Sequence, residues 1–129
     1  MLNKKIQKTK DKTHLNIYDY FQDDDTYEIR AYYYFYKTLK KIKFRNKMIK
    51  AMDLISLITE KAVKDFGPMA DLVFSKWHIY DVNDIIYIVE RLLKIKNINL
   101  KIIKKDELPM RNVKVDILFR NKFEWLETI

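Results

Sequence analysis

Ile29, Tyr32, Phe35, Tyr36, Leu39 and Ile42 recur at three- and four-residue steps, the spacing that stacks side chains on one face of a helix. This stripe predicts a helix from about Tyr27 to Lys43. Arg30, Tyr34, Lys37 and Lys41 follow their own steps of four, three and four along a different face. Upstream, "QDDDTYE" sets Asp23, Asp24 and Asp25 before the helix, where unpaired amide donors and the positive end of the dipole favour acidic groups. They read as a solvated helix-start cluster. A second helix, about Ala51 to Phe66, turns Leu54, Ile55, Ile58, Ala62 and Phe66 inward and Glu60, Lys61, Lys64 and Asp65 outward.

The chain's single glycine follows, in "FGPMADLVFSKW". A helix ending at Phe66 can terminate with Gly67 in the left-handed conformation, which glycine adopts at little cost. Pro68 cannot continue that helix but suits the first turn of the next, where its missing donor is not needed. Phe66, Gly67, Pro68 and Trp77 are therefore structural, at a corner between helices. Met69, Leu72, Val73 and Trp77 are expected on the apolar side of a short third helix. Asp81 then reads as an N-cap with Asp84 three residues on, close to a capping box. Val82, Ile85, Ile86, Val89, Leu92 and Leu93 give the clearest amphipathic helix, ending near Ile95.

After Ile95 the period changes. "NLKIIK" and "VKVDILF" alternate in the manner of strands, with Val113, Val115, Ile117 and Phe119 on one side. Either a small β-hairpin through "KDELPMRN" or a final helix in "LFRNKFEWLE" fits this extension. At the other end, "LNIYDYF" reads as a short helix or an extended packing segment, and residues 1–14 as a basic, flexible arm. The expected architecture is mainly α: a compact domain of about four helices over residues 15–129, with its core in 27–95.

Composition adjusts this picture in a few places. With 129 residues, 48% hydrophobic and 14% aromatic, the chain can build one real core and does not resemble a disordered protein. The absence of cysteine removes disulfides and thiolate zinc sites. The basic N-terminus lacks the apolar stretch of a signal peptide, and no apolar run reaches membrane-span length. A soluble cytoplasmic protein is the simple reading. The formal charge is +8, from 26 basic and 18 acidic residues. It is concentrated in the terminal thirds, and its lysine bias also fits the codon usage of an AT-rich genome.

Two stretches carry a family resemblance. "YEIRAYYYFYKTL" matches an "AY-x-F" pattern at Tyr27, Ala31, Tyr32, Phe35 and Leu39, and "FGPMADLVFSKWHI" matches "FG-x-MA" followed by tryptophan at Phe66, Gly67, Met69, Ala70 and Trp77. With the "I-V-x-x-L" helix in "DIIYIVERLL", residues 27 to 95 resemble the Minf-type conserved family of planctomycetes and verrucomicrobia, whose members are uncharacterised. Where that family has glycine after the tryptophan, this chain has His78. The resemblance implies a compact, mainly helical fold and brings no activity with it.

Catalytic constellations are scarce. Only Ser56 and Ser75, and only His14 and His78, could serve a serine triad, and both serines fall mid-helix. His78 reads as a capping or surface residue. Two histidines without cysteine make no standard zinc site, one glycine cannot build a phosphate-binding loop or dinucleotide fingerprint, and no carboxylate pair can be assigned to acid–base work. No metal or cofactor is implied. The aromatic run Tyr32 to Tyr36 cannot form one platform, because a helix turns about 100° per residue. Tyr34, flanked by Arg30, Lys37 and Lys41, alone has the basic–aromatic setting of nucleic-acid binding. The sequence thus suggests a non-catalytic binding protein that docks on RNA, DNA or a ribosome through Arg30, Tyr34, Lys37, Lys40, Lys41, Arg45 and Lys47. A protein–protein adaptor whose basicity is compositional is the alternative.

Overall fold

The computed structural model describes residues 12–41, 47–95, 98–104 and 112–120. It is mainly helical. Helices α1 (Lys12–Phe21) and α2 (Ile29–Lys41) are followed by strand β1 (Met48–Lys50), α3 (Ala51–Phe66), a 3₁₀ turn (Gly67–Met69), α4 (Ala70–Lys76), α5 (Val82–Ile95) and strand β2 (Lys101–Ile103). Residues 115–120 are also helical. Residues 1–11, Ile42, Lys43, Arg45 and most of the "KDELPMRN" segment lie outside the described set. Of the expected arm, residues 12–14 already belong to α1.

The stripe on α2 packs as its spacing requires, with Tyr32, Phe35, Tyr36 and Leu39 buried, joined by Ala31 and Thr38. The buried arc is wider than one stripe because α2 contacts α1, α3 and α5. Thr38 is tolerated there because its hydroxyl donates to the Tyr34 carbonyl at 2.9 Å. In α3 and α5 the predicted inward positions form the rest of the core, although Phe66 and Leu93 are only partly covered. The α5 start is a true reciprocal cap. The Asp84 amide donates to Asp81 Oδ1 at 3.0 Å, and Asp84 Oδ2 accepts from the Tyr80 and Asp81 amides at 2.8 and 3.3 Å.

The corner at Gly67 is present, with a different backbone from the one expected. Its φ is 58° but its ψ is −140°, so it is not in the left-handed helical well. That combination mirrors the extended region and is closed to any residue with a Cβ. The following 3₁₀ turn resets the helical phase. As a result Ala70 and Phe74 face the core, while Met69 and Leu72 are 53% and 47% exposed. The face predicted for this helix from Met69, Leu72, Val73 and Trp77 is therefore corrected to Ala70 and Phe74, with Val73 and Trp77 at its margin.

Helix α4 closes in a Schellman arrangement. The Ile79 amide donates to the Phe74 carbonyl at 2.9 Å and the His78 amide to that of Ser75 at 3.0 Å, with His78 at φ 67°. This is a glycine-type position occupied by histidine, whose Nδ1 lies 3.2 Å from the Thr26 carbonyl oxygen. Two conformational costs can be separated here. No atom lies within 4 Å of the place a Gly67 Cβ would occupy, so Gly67→Ala is expected to lose about 1 kcal/mol or more purely from its backbone. His78→Ala should be less stable than His78→Gly, since both lose the Thr26 contact and only alanine keeps the strain. Thermal melts of the three variants check both points; equal melting of the two His78 variants would show that φ carries no cost there.

The C-terminal region departs most from the expected pattern. Lys101–Ile103 is a strand, but it pairs in parallel with Met48–Lys50, with Met48 opposite Lys101 and Lys50 opposite Ile103. Among the described residues no hairpin forms with "VKVDILF". That segment makes only an isolated antiparallel bridge, Asp81 to Lys114, before turning helical. Of the alternative helix in "LFRNKFEWLE", residues 118–120 are helical and 121–127 lie outside the described residues. Val115 and Phe119, four residues apart, are buried, whereas Ile117 is 42% exposed. The alternation over so few residues coincided with one turn of helix.

Candidate nucleic-acid interface

Helix α2 contains Arg30, Lys37, Lys40 and Lys41 and no acidic residue. Its last turn carries Lys40 and Lys41, which complement the negative end of the helix dipole. Arg30, Lys37, Lys40 and Lys41 are all exposed. The Lys40 ammonium sits 5.3 Å above the Tyr36 ring. Lys41 acts on Asp65 through space. Arg45 lies outside the described residues. Lys47 is exposed, with φ 54°, immediately before β1.

The parallel ribbon adds cations that sequence reasoning did not place. Ile49 and Ile102 pack on the core, which turns the alternate positions Met48, Lys50 and Lys101 outward, where all are exposed. Lys101 is in register with Met48, between Lys47 and Lys50. No carboxylate occurs in residues 47–50 or 98–104. Lys104 at the end of β2 is instead paired with Glu90.

Tyr34 does not stand among these lysines as a free ring. Its centroid is 5.2 Å from that of Phe66 and 5.4 Å from that of Trp77, with Phe35 and Phe74 also in contact. Its hydroxyl donates to Asp65 Oδ2 at 2.8 Å, and Lys61 pairs with the same oxygen at 2.5 Å. The base-stacking role expected for Tyr34 is thus corrected to a packing role: both ends of the side chain are engaged within the protein. The reason is that the corner aromatics fold back over α2. Phe66 and Trp77 are half-buried and pack against the core.

Asp24 is also reassigned. It is neither a cap nor solvated, because α2 begins only at Ile29. Its Oδ2 accepts from the Tyr32 hydroxyl at 2.5 Å and from Arg91 Nη1 at 2.7 Å, while Oδ1 accepts from the Thr26 amide at 2.7 Å. Burial pushes the Asp24 carboxyl up, but these three donors outweigh it and hold it below the ordinary carboxylate value. The Arg91 guanidinium lies over the rings of Phe21 (4.9 Å), Tyr87 (5.5 Å) and Tyr32 (5.8 Å). Tyr27 donates to Asp84 Oδ1 at 2.6 Å. An open cleft of about 300 Å³ beside this network is lined by Tyr18, Asp24, Asp25, Glu28 and His78 among others. Among the described residues no group of three His, Asp or Glu is arranged to hold a metal ion, and no helix is long and apolar enough to cross a membrane.

In comparisons with known proteins, no family model, curated protein or solved structure matches the chain.

The tyrosine hydroxyls give a direct test of this geometry. Burial and then a carboxylate acceptor raise the phenols of Tyr27, Tyr32 and Tyr34 well above their ordinary value. A group whose folded pKa is raised stabilises the fold fully below its unfolded pKa, and loses that contribution as pH rises beyond it. Tyrosinate absorbance should therefore show these phenols still protonated above about pH 10, ionising together when the fold gives way. Tyr34→Phe should remove one phenol from that delayed step; a titration complete near the ordinary value would exclude these hydrogen bonds.

Proposed function

We propose that the protein acts by binding rather than by catalysis, and that it docks on nucleic acid, free or within a ribonucleoprotein, through the lysine surface of α2 and the outer side of the β1–β2 ribbon. The observation that supports this reading is the strand pairing. It draws Lys101, from the C-terminal third, between Lys47 and Lys50, in a stretch of ribbon without carboxylates. Like charges gathered on a folded surface repel one another, and a polyanion relieves that repulsion while releasing its counterions. Kinship with the Minf-type family belongs to the same proposal and supplies no activity of its own.

The test is equilibrium binding to RNA across a salt series. Affinity should fall steeply between low and physiological salt, because each phosphate contact adds to the slope. Lys37→Glu with Lys41→Glu should flatten the log–log slope by about 2, roughly one per lysine. Lys64→Glu with Lys76→Glu changes net charge equally on other exposed positions and should leave the slope nearly intact. Equal losses in both pairs would mean that net charge alone is being read. Absence of binding even at low salt would remove the proposal in favour of the adaptor reading, which has its own footing in the exposed apolar pair Met69 and Leu72 at the helix corner.

A further inference from the structure

We infer that the nucleic acid taken at this surface is a duplex, held through its phosphates and not through its bases. This rests on the binding proposal above and narrows it. Proteins that hold single strands offer ring faces on which successive bases stack. On α2 the tyrosines beside the cations are engaged within the protein. Tyr33, at helical spacing from both Arg30 and Lys37, is partly buried against the core. Tyr34 is packed against Phe66 and Trp77 with its hydroxyl on Asp65, and Tyr36 is 8% exposed beneath the Lys40 ammonium. The exposed tyrosines, Tyr18, Tyr20, Tyr80 and Tyr87, belong to α1, the α5 cap and α5, and none lies on α2 or the ribbon. The only large apolar side chain exposed on the ribbon is Met48, which has no ring.

The cations themselves point the same way. Apart from Arg30, every described cation of α2 and of the ribbon with its flanking Lys47 is a lysine: Lys37, Lys40 and Lys41 on the helix, and Lys47, Lys50 and Lys101 at the ribbon. An ammonium is a compact, strongly hydrated point charge without arginine's rigid fork, so it serves a phosphate well and imposes less geometry on a base edge. Such a surface gains affinity only from counterion release. That gain is larger on a duplex, where each neutralised phosphate contributes about 0.9 to the salt slope, than on a single strand, where it contributes about 0.7. With equal contacts and no exposed ring among the described residues of α2 and the ribbon, the duplex wins at low salt. The ribbon also fixes Lys50 and Lys101 on paired strands, so ordering them costs less than ordering a loose tail.

Three probes decide the matter on the full chain: a short RNA duplex, a single-stranded oligouridine with as many phosphates, and a linear polyphosphate that has no bases. The duplex should bind several-fold more tightly than oligouridine at low salt, with slopes in a ratio near 0.9 to 0.7. Polyphosphate should displace the duplex, and Lys50→Glu with Lys101→Glu should lower the duplex slope by about 2. Oligouridine binding as tightly as the duplex, or polyphosphate failing to compete, would overturn the inference while leaving nucleic-acid binding in place. Failure of every probe at low salt would instead strike the binding proposal itself.

Discussion

Phe74→Ala is expected to cost roughly 3–5 kcal/mol, the range for truncating a fully buried aromatic ring, and to leave little folded protein at elevated temperature. Phe74 is wholly buried and is the hub of the corner. It meets Phe35 at 5.8 Å, Trp77 at 5.8 Å and Phe119 edge-on at 5.0 Å. Removing its ring opens a cavity bordered by α2, α4 and the 115–120 helix at once. Phe66→Ala and Trp77→Ala remove rings that are only partly covered, so each should cost less than Phe74→Ala despite equal or greater size. Chemical denaturation of the three variants ranks them. If Trp77→Ala proved the most damaging, the corner would be organised around the indole and not around Phe74.

Asp24→Ala carries the second large effect, about 2–4 kcal/mol. Its carboxylate is the shared acceptor for Tyr32, Arg91 and the Thr26 amide. Deleting it leaves a buried hydroxyl and a partly buried guanidinium without their acceptor, and hydrogen bonds to charged groups are each worth about 1.5–3 kcal/mol. The upper end is avoided because the Arg91 side chain is 33% exposed and water can reach it. Arg91 also stabilises by lying on the rings of Phe21, Tyr32 and Tyr87, so Arg91→Met should be milder than Asp24→Ala by retaining apolar contact. The folded Asp24 pKa is depressed, so its contribution is complete above the ordinary carboxylate pKa and fades as pH falls through the lowered value. Asp24→Asn should accordingly flatten the loss of stability below about pH 4. A double-mutant cycle of Asp24→Asn with Tyr32→Phe should show clear coupling; strict additivity would mean that the hydroxyl does not use this carboxylate.

Helices α2, α3 and α5 were legible along the chain because their burial repeats every three to four residues, a local property that needs no partner to be read. The C-terminal end of the Ala51–Phe66 helix was legible because Gly67 and Pro68 are incompatible with continuing it. The Asp81–Asp84 cap was legible for the same reason, as it joins residues one turn apart. Each remaining feature depends on which distant segments meet. The phase of α4 was set by the 3₁₀ turn at Pro68, which rotated Phe74 inward and Leu72 outward. Whether Val115 and Phe119 lie on a strand or a helix was decided by the space beside Phe74, because a short alternating run satisfies both periods. The spacing of Tyr34 among Arg30, Lys37 and Lys41 points to a ligand, whereas the packing of Phe66 and Trp77 against its ring is a tertiary contact. The strongest polar site, Asp24 with Tyr32 and Arg91, spans 67 positions and left no local signature. The lysine surface is the same kind of case. Lys47 and Lys50 adjoin in sequence, but Lys101 joins them only through a parallel pairing whose crossover runs through α3, α4 and α5. Local spacing determined which residues turn inward on the long helices; only the tertiary contacts decided which charges and rings remain available to a partner.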